Sequence, residues 1–348
     1  MNNPFIALVI FIIILFFYIH ITAQWKTSDD LEIYESDFES PAHLQEVCSV
    51  KQPVLIKNLS KNPNAAPFFE RFQTANFEKY DNLDVLIKDR SDYSQLNSVD
   101  SIPLSFRSAR HLLKSDTNSK YFSEKNQEFL EESGVDRFAE PLDDFLKPPL
   151  TAYKKYDLLF GSPLAASPLR YHLESHRFFA VTRGKIRVRL CPPKYGRLLP
   201  LVADYENYEF FAKVDAWTTG PENRDLLQKI KFLDVDVQSG DVLFVPPYWW
   251  YSISFSGDPE TTVASLAYDA AMNVLAQSKH WSLYYLQQSN IKTRPAKTLV
   301  PALDSAVNQS SPDADKTSQP IQEKTQEESF AQPKNKEIVT NAGTYVVD

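Results

Sequence analysis

The first hydrophobic pattern in the chain is an apolar run from Phe5 to Ala23, interrupted only by His20 and Thr22. About 20 such residues cross the hydrocarbon core of a bilayer. Tyr18 and Trp25 fall where interfacial aromatics lie. The run is longer than the apolar stretch of a cleaved secretory signal, and no Lys or Arg precedes it. Residues 1–25 are therefore expected to form an uncleaved, single-pass transmembrane anchor. Its orientation is open, because Lys26 on one side faces only the α-amino group on the other.

Beyond the anchor the pattern changes several times. Residues 26–41 are acidic and polar and read as a juxtamembrane lead-in. Pro53-Val54-Leu55-Ile56 predicts a short strand, and charge and apolar spacing predict helices over 107–113 and 125–132. Residues 153–268 are strand-like, with turns at Gly161-Ser162, Arg183-Gly184 and Ser239-Gly240. Asp269 reads as the N-cap of an amphipathic helix over 270–288, marked by Met272, Leu275, Trp281 and Leu286. Residues 291–348 are polar and poor in apolar side chains, and are expected to be a disordered tail. One globular domain is thus expected over 42–290.

Composition narrows the function classes. A net charge of −8 over 348 residues disfavours nucleic acid as a partner, because phosphate binding needs a basic surface. Cys48 and Cys191 are too few for a disulfide framework or a thiolate metal site. Asn58-Leu59-Ser60 and Asn308-Gln309-Ser310 are glycosylation triplets of a kind that chance often produces. Eight glycines leave little room for a phosphate-cradling loop, and no nucleophile and base are paired in the sequence.

Two segments carry candidate chemistry. The first is Ser167-Pro168-Leu169-Arg170-Tyr171-His172, followed by Phe178-Phe179-Ala180-Val181, Gly184 and Arg187-Val188-Arg189-Leu190-Cys191-Pro192-Pro193. The second runs from Gly240-Asp241-Val242-Leu243-Phe244-Val245 through Pro246-Pro247-Tyr248-Trp249-Trp250 to Tyr251-Ser252-Ile253. In order and spacing they resemble the two halves of JmjC-type, cupin-like oxygenases, over roughly residues 40–290. In that family the patterns are T-P-x-H-x-D with L-x-P-P, then G-D-x-L-x-I-P-x-x-W-W-H. With the N-terminal anchor, the chain is also similar to cupin-like proteins of large DNA viruses. The resemblance implies a mainly β fold with flanking helices, a double-stranded β-helix or cupin jelly roll, behind the transmembrane helix.

It also implies a site. The family holds Fe(II) with two histidines and a carboxylate and leaves room for 2-oxoglutarate. Carried over residue by residue, the three ligand positions fall on Arg170, His172 and Tyr251. A guanidinium has no lone pair to give and does not deprotonate. At about 4 Å from a divalent ion and an effective dielectric of about 20, it would repel the metal by on the order of 8 kcal/mol. The lysine that would pair with 2-oxoglutarate is replaced by Ile186. Along that strand Ile186, Val188 and Leu190 share one face and Lys185, Arg187 and Arg189 the other. The basic stripe reads as a solvated face or an anion site.

Three readings follow. In the first, the domain is a non-catalytic pseudo-oxygenase that binds or scaffolds, with no cofactor. In the second, His172, Glu174 and Tyr251 form a non-standard metal site using Fe(II) and 2-oxoglutarate, since alternation places both members of His172-Leu173-Glu174 on one face. His176 lies one step further along that face. In the third, Arg170 meets an anionic small molecule in the barrel. Against the second stands the expectation that Glu174 only neutralises Arg170 or His172. A ligand cavity would be lined by Ser167, Arg170, His172, Glu174, Ile186, Trp250 and Tyr251. The adjacent Tyr248, Trp249 and Trp250 read as core. Asp204-Tyr205-Glu206-Asn207-Tyr208 reads as a surface loop, and the 270–288 helix as a surface for a protein partner or homodimer.

Overall fold

Period-two alternation builds the barrel wall. In the strand Lys185–Cys191, Ile186, Val188 and Leu190 are fully buried, while Lys185 and Arg187 are exposed and Arg189 is half-buried. The inward apolar face expected from the sequence is therefore present. The outward basic stripe is spoken for by the next strand. Arg189 Nε and Nη2 donate to Asp234 at 2.7 and 2.8 Å, and Arg187 Nη2 donates to it at 3.0 Å.

The structure is a computed structural model that describes residues 4–218, 220 and 223–290. The expected tail over 291–348 and the Asn308 triplet lie outside the described residues. Before the barrel come β1 (Tyr34–Asp37), β2 (Val54–Lys57), β3 (Asp84–Asp89), β4 (Ile102–Ser105) and β5 (Tyr121–Ser123). Then follow β6 (Thr151–Gly161), β7 (Arg170–Tyr171), β8 (His176–Arg183), β9 (Lys185–Cys191) and β10 (Leu201–Asp204). The last are β11 (Glu209–Ala212), β12 (Leu233–Gln238), β13 (Val242–Val245), β14 (Trp250–Phe255) and β15 (Thr262–Ala270). Among the described residues one sheet has the order β1-β2-β13-β8-β15-β6-β5-β3-β4, and the facing sheet β10-β11-β7-β14-β9-β12. This is the mainly β architecture with flanking helices that the sequence implied.

Two cores lie on either side of the large sheet. On β8, Phe178 joins the cluster under the N-terminal helices, and Phe179 joins the barrel interior with Tyr251, Ile186 and Phe255. Because both faces are covered, β13 is buried throughout and β15 nearly so, which is why these strands read as apolar runs rather than alternating ones. Local signals start the helices before the barrel. Ser40 accepts from the His43 amide ahead of the helix Pro41–Ser49, and Ser105 caps Phe106–Ser115 through the Ser108 amide.

Four expectations are corrected by packing. The 26–41 segment is not a free lead-in. Its β1 pairs in parallel with β2, and Trp249 Nε1 donates to the Ser28 carbonyl at 3.0 Å. Asp269 is not a helix cap. It lies within β15, one residue before the strand's end, where its buried carboxylate accepts from the Ser175 amide at 2.8 Å and from Asn273 Nδ2. The helix expected over 270–288 is two helices, Ala271–Ala276 and Ser278–Asn290. They break at Gln277, whose side chain donates to Tyr248 Oη at 2.7 Å. The loop from Asp204 to Tyr208 is covered rather than free. Tyr205 Oη lies 3.0 Å from His280 Nδ1, and Tyr208 stacks on Trp281 with centroids 4.9 Å apart. Cys48 and Cys191 are free thiols, both buried.

The β12–β13 turn depends on one glycine. Gly240 has φ +95°, and a Cβ there would lie 2.2 Å from Ser60 Oγ. Gly240→Ala is expected to lower unfolding stability by about 1–3 kcal/mol, read as a reduced denaturant midpoint. An unchanged midpoint would mean that this turn is not held tightly against the Ser60 segment.

Candidate functional site

The strand β7 is only two residues long, yet it sets the site. Arg170 on β7 stands opposite Tyr251 on β14, with its guanidinium carbon 5.6 Å from the tyrosine ring centroid. Arg170 is only 8% exposed, and a buried cation requires a partner. That partner is Glu124, which follows β5. Arg170 Nη1 donates to Glu124 Oε1 at 2.7 Å, and Nη2 donates to Oε2. The planar fork matches both carboxylate oxygens, the strongest form of such a pair. A second cation joins it. Lys88 on β3 has Nζ 3.2 Å from Glu124 Oε1 and also donates to Glu209 on β11. Lys125 pairs with Glu209 as well. Tyr93 Oη accepts from Lys88 Nζ at 2.9 Å and donates to Glu209 Oε2 at 2.9 Å. Burial opposes ionisation of Glu124, but the Arg170 and Lys88 cations outweigh it and hold the carboxyl well below the usual carboxylate range.

A second charged group adjoins the first. The β7 ladder ends at Tyr171, so His172, Leu173 and Glu174 are not in a strand. Alternation along a strand therefore does not apply to His172 and Glu174. Both side chains nevertheless line the same cavity. Glu174 pairs with Arg177 on β8, not with Arg170 or His172 as expected. Arg177 Nη1 also donates to Tyr251 Oη at 3.2 Å. His172 is 4% exposed, and neither ring nitrogen makes a hydrogen bond of normal geometry, although the Val245 backbone lies close enough to act on it. Burial, reinforced by Arg177, pushes its imidazole down to about 3, so it is neutral at physiological pH. His176 stacks on Phe178 and lies tilted against Phe244.

The cavity between these groups holds about 130 Å³. Of the seven residues expected to line it, Arg170, His172, Glu174 and Tyr251 do so. Ser167, Ile186 and Trp250 do not. The Ser167 hydroxyl accepts from the Ile253 amide at 2.9 Å. Ile186 is packed in the barrel interior, and Trp250 lies in a separate cluster with Cys191 and Leu199. The charged lining is balanced: Lys125, Lys155, Arg170 and Arg177 against Glu124, Asp157, Glu174 and Glu209. Among the described residues no group of three or more His, Cys, Asp or Glu side chains could hold a metal ion.

The sequence model of the cupin-like domain family matches residues 40–274, which include the whole cavity and every strand of both sheets except β1. The chain belongs to the cupin-like domain family. Over 93 residues it is 31% identical to Jumonji C domain-containing protein 5 of Drosophila melanogaster, a match covering 27% of this chain and 23% of that protein. The chain thus spans about a quarter of the curated relative's length in that match. In this cupin-like domain the barrel, the strand β3 and the segment after β5 share one buried ion cluster. Glu124, Lys88, Glu209 and Tyr93 escaped the sequence reading because they lie outside the barrel motifs. One signal was present: Lys88 ends the apolar run Val85-Leu86-Ile87, and a lysine in such a run needs a buried carboxylate.

Two outcomes test this cluster. Glu124→Gln leaves Arg170 and Lys88 short of a carboxylate and is expected to cost about 3–5 kcal/mol of stability. Glu174→Gln is expected to cost less, because Arg177 is partly open to solvent. Equal losses in denaturant unfolding would contradict the ranking. The His172 imidazole has a folded pKa below its unfolded one, so its stabilising contribution is present above the unfolded value of about 6.5 and is lost as pH falls toward 3. Between pH 7 and pH 5 the wild type should lose about 2 kcal/mol more than His172→Gln. Parallel pH curves would show that His172 titrates normally.

Proposed function

We propose that this cupin-like domain is a pseudo-oxygenase, a binding or scaffolding module held at a membrane by its N-terminal helix. One observation carries the reading: the bidentate Arg170–Glu124 pair at the position where the family resemblance puts the first iron ligand. The residues present do not fit iron. Arg170 has no lone pair, and its charge is fixed there by Glu124. The Tyr251 hydroxyl accepts from Arg177, which opposes a metal cation at the same oxygen. Glu174, the carboxylate of the non-standard ligand set, is held by Arg177. His172 alone remains a free donor, and one imidazole does not make a site. The 2-oxoglutarate position is Ile186, whose side chain is packed among Val237, Phe255 and other barrel residues.

The balanced lining charges disfavour the anion-sensor reading, since each cation of Arg170, Arg177 and Lys125 already has a carboxylate. Scaffolding suits the helix Ser278–Asn290. Trp281 and Tyr284 turn toward Tyr208, while Tyr285 and Leu286 remain 64% and 60% exposed. The helix Pro4–Trp25 is long and apolar enough to cross a membrane.

The full chain in detergent, titrated anaerobically with Fe(II) with and without 2-oxoglutarate, is expected to gain no thermal stability and to retain no iron. A specific ligand at a hundredfold excess over its Kd would add about 3 kcal/mol. One iron per chain with such a gain, or succinate formation, would overturn the proposal.

A further inference from the structure

The end of the N-terminal helix is not on a free tether. Ile21, Thr22 and Gln24 are half-buried, and the helix packs against the short helix Ala271–Ala276. Trp25 Nε1 donates to the Ala276 carbonyl at 3.3 Å. Lys51 Nζ donates to the carbonyls of Ala23 at 2.7 Å and Gln24 at 3.3 Å, two acceptors that a helix end leaves without an internal partner. Thr27 Oγ1 and the Ser28 amide then bond to the Lys51 carbonyl at 3.0 and 3.2 Å. The 22-residue helix is about 33 Å long at 1.5 Å per residue, so its last turns reach the edge of a hydrocarbon core about 30 Å thick. The domain surface around those turns is then brought to the same depth.

That surface is apolar where the fold gives no reason for it. Leu275, on the short helix, is 47% exposed. At the start of that helix Ala270 pairs with Thr151, and directly before Thr151 stands Leu150. Leu150 is 87% exposed and has φ +58°. A leucine held in the left-handed region with its side chain in water is unfavourable on both counts. Tyr153 is 42% exposed beside it, and Lys147 and Lys154 are exposed around it, Lys154 with its Nζ also 2.9 Å from Asp143 Oδ2. Apolar tips flanked by lysines fit a bilayer interface with anionic headgroups.

We infer that Leu150 and Leu275 form a second lipid contact, which seats the domain on the bilayer crossed by its own N-terminal helix. The inference rests on the membrane reading above. Its occupant is lipid, because the edge is continuous with the apolar helix through the short helix that both touch.

The test uses the full chain in phosphatidylcholine–phosphatidylserine vesicles. Leu150→Cys, Leu275→Cys and the control Asp236→Cys carry an environment-sensitive fluorophore. The native Cys48 and Cys191 are 1% and 0% exposed and resist labelling. Asp236 lies on β12 with its side chain 65% exposed. The expected result is several-fold stronger quenching by nitroxide lipids at 150 and 275 than at 236, with protection from aqueous iodide. Quenching at all three sites by iodide alone, in chains that resist alkaline carbonate extraction, would overturn the second contact and leave the anchor standing. Chains that wash out with carbonate would overturn the anchor itself. Labels shielded from both quenchers would mean that protein, not lipid, covers the edge, and would also overturn the inference.

Discussion

The Arg170–Glu124 pair is the constraint on which the rest of the structure depends. A guanidinium inside a barrel must meet a carboxylate, and the barrel strands do not supply one to Arg170. Glu124 comes from the region before the barrel, and Lys88 from further back still. The small sheet and the large sheet are therefore joined by charge as well as by apolar packing. Such a cluster is all or nothing. Complete, it fixes one arrangement of the strands; short of one carboxylate, it leaves a buried cation.

The same constraint explains what was and was not legible in the sequence. The jelly roll could be read because its signals are local: alternation in β9, the glycine at 240, and the proline stop before Trp249 and Trp250. The inward face of Ile186, Val188 and Leu190 followed from period two alone. The partner of Arg170 could not be read, because it is 46 residues away and pairs through tertiary packing. Glu174 was the nearest carboxylate in sequence and the wrong one, since the β7 ladder ends at Tyr171 and Arg177 returns beside Glu174 on the next strand. The helix near the C-terminus failed for a related reason. Apolar spacing runs across Gln277, but the side chain of Gln277 is drawn to Tyr248 and the axis breaks there.

Stability alone does not account for the cluster. Well-packed apolar residues often replace a buried ion network at no cost or with a gain, and the surrounding barrel already packs Phe179, Ile253 and Phe255 tightly. What the ions do that apolar side chains would not is keep a polar cavity of about 130 Å³ open beside Tyr251. Burial also holds His172 neutral at its wall. The network fixes the cavity wall at Arg170, Glu174 and Tyr251 in one state through its own ion pairs.

This has a consequence for how the domain meets its surroundings. A wall locked by internal ion pairs has Arg170, Arg177 and Lys125 already matched to carboxylates. The surfaces that carry unspent apolar area lie elsewhere, at Leu150, Leu275, Tyr285 and Leu286. Two of these lie on or beside the helix Ala271–Ala276, which is bonded to the N-terminal helix at one end and at the other directly follows Ala270, the β15 partner of Thr151 on β6. Under the membrane reading proposed above, attachment at both ends would make the height and tilt of the domain over the bilayer a property of the fold rather than of a linker. A polar 26–41 segment of free chain would have allowed the domain to turn. By entering the large sheet as β1, it removes that freedom.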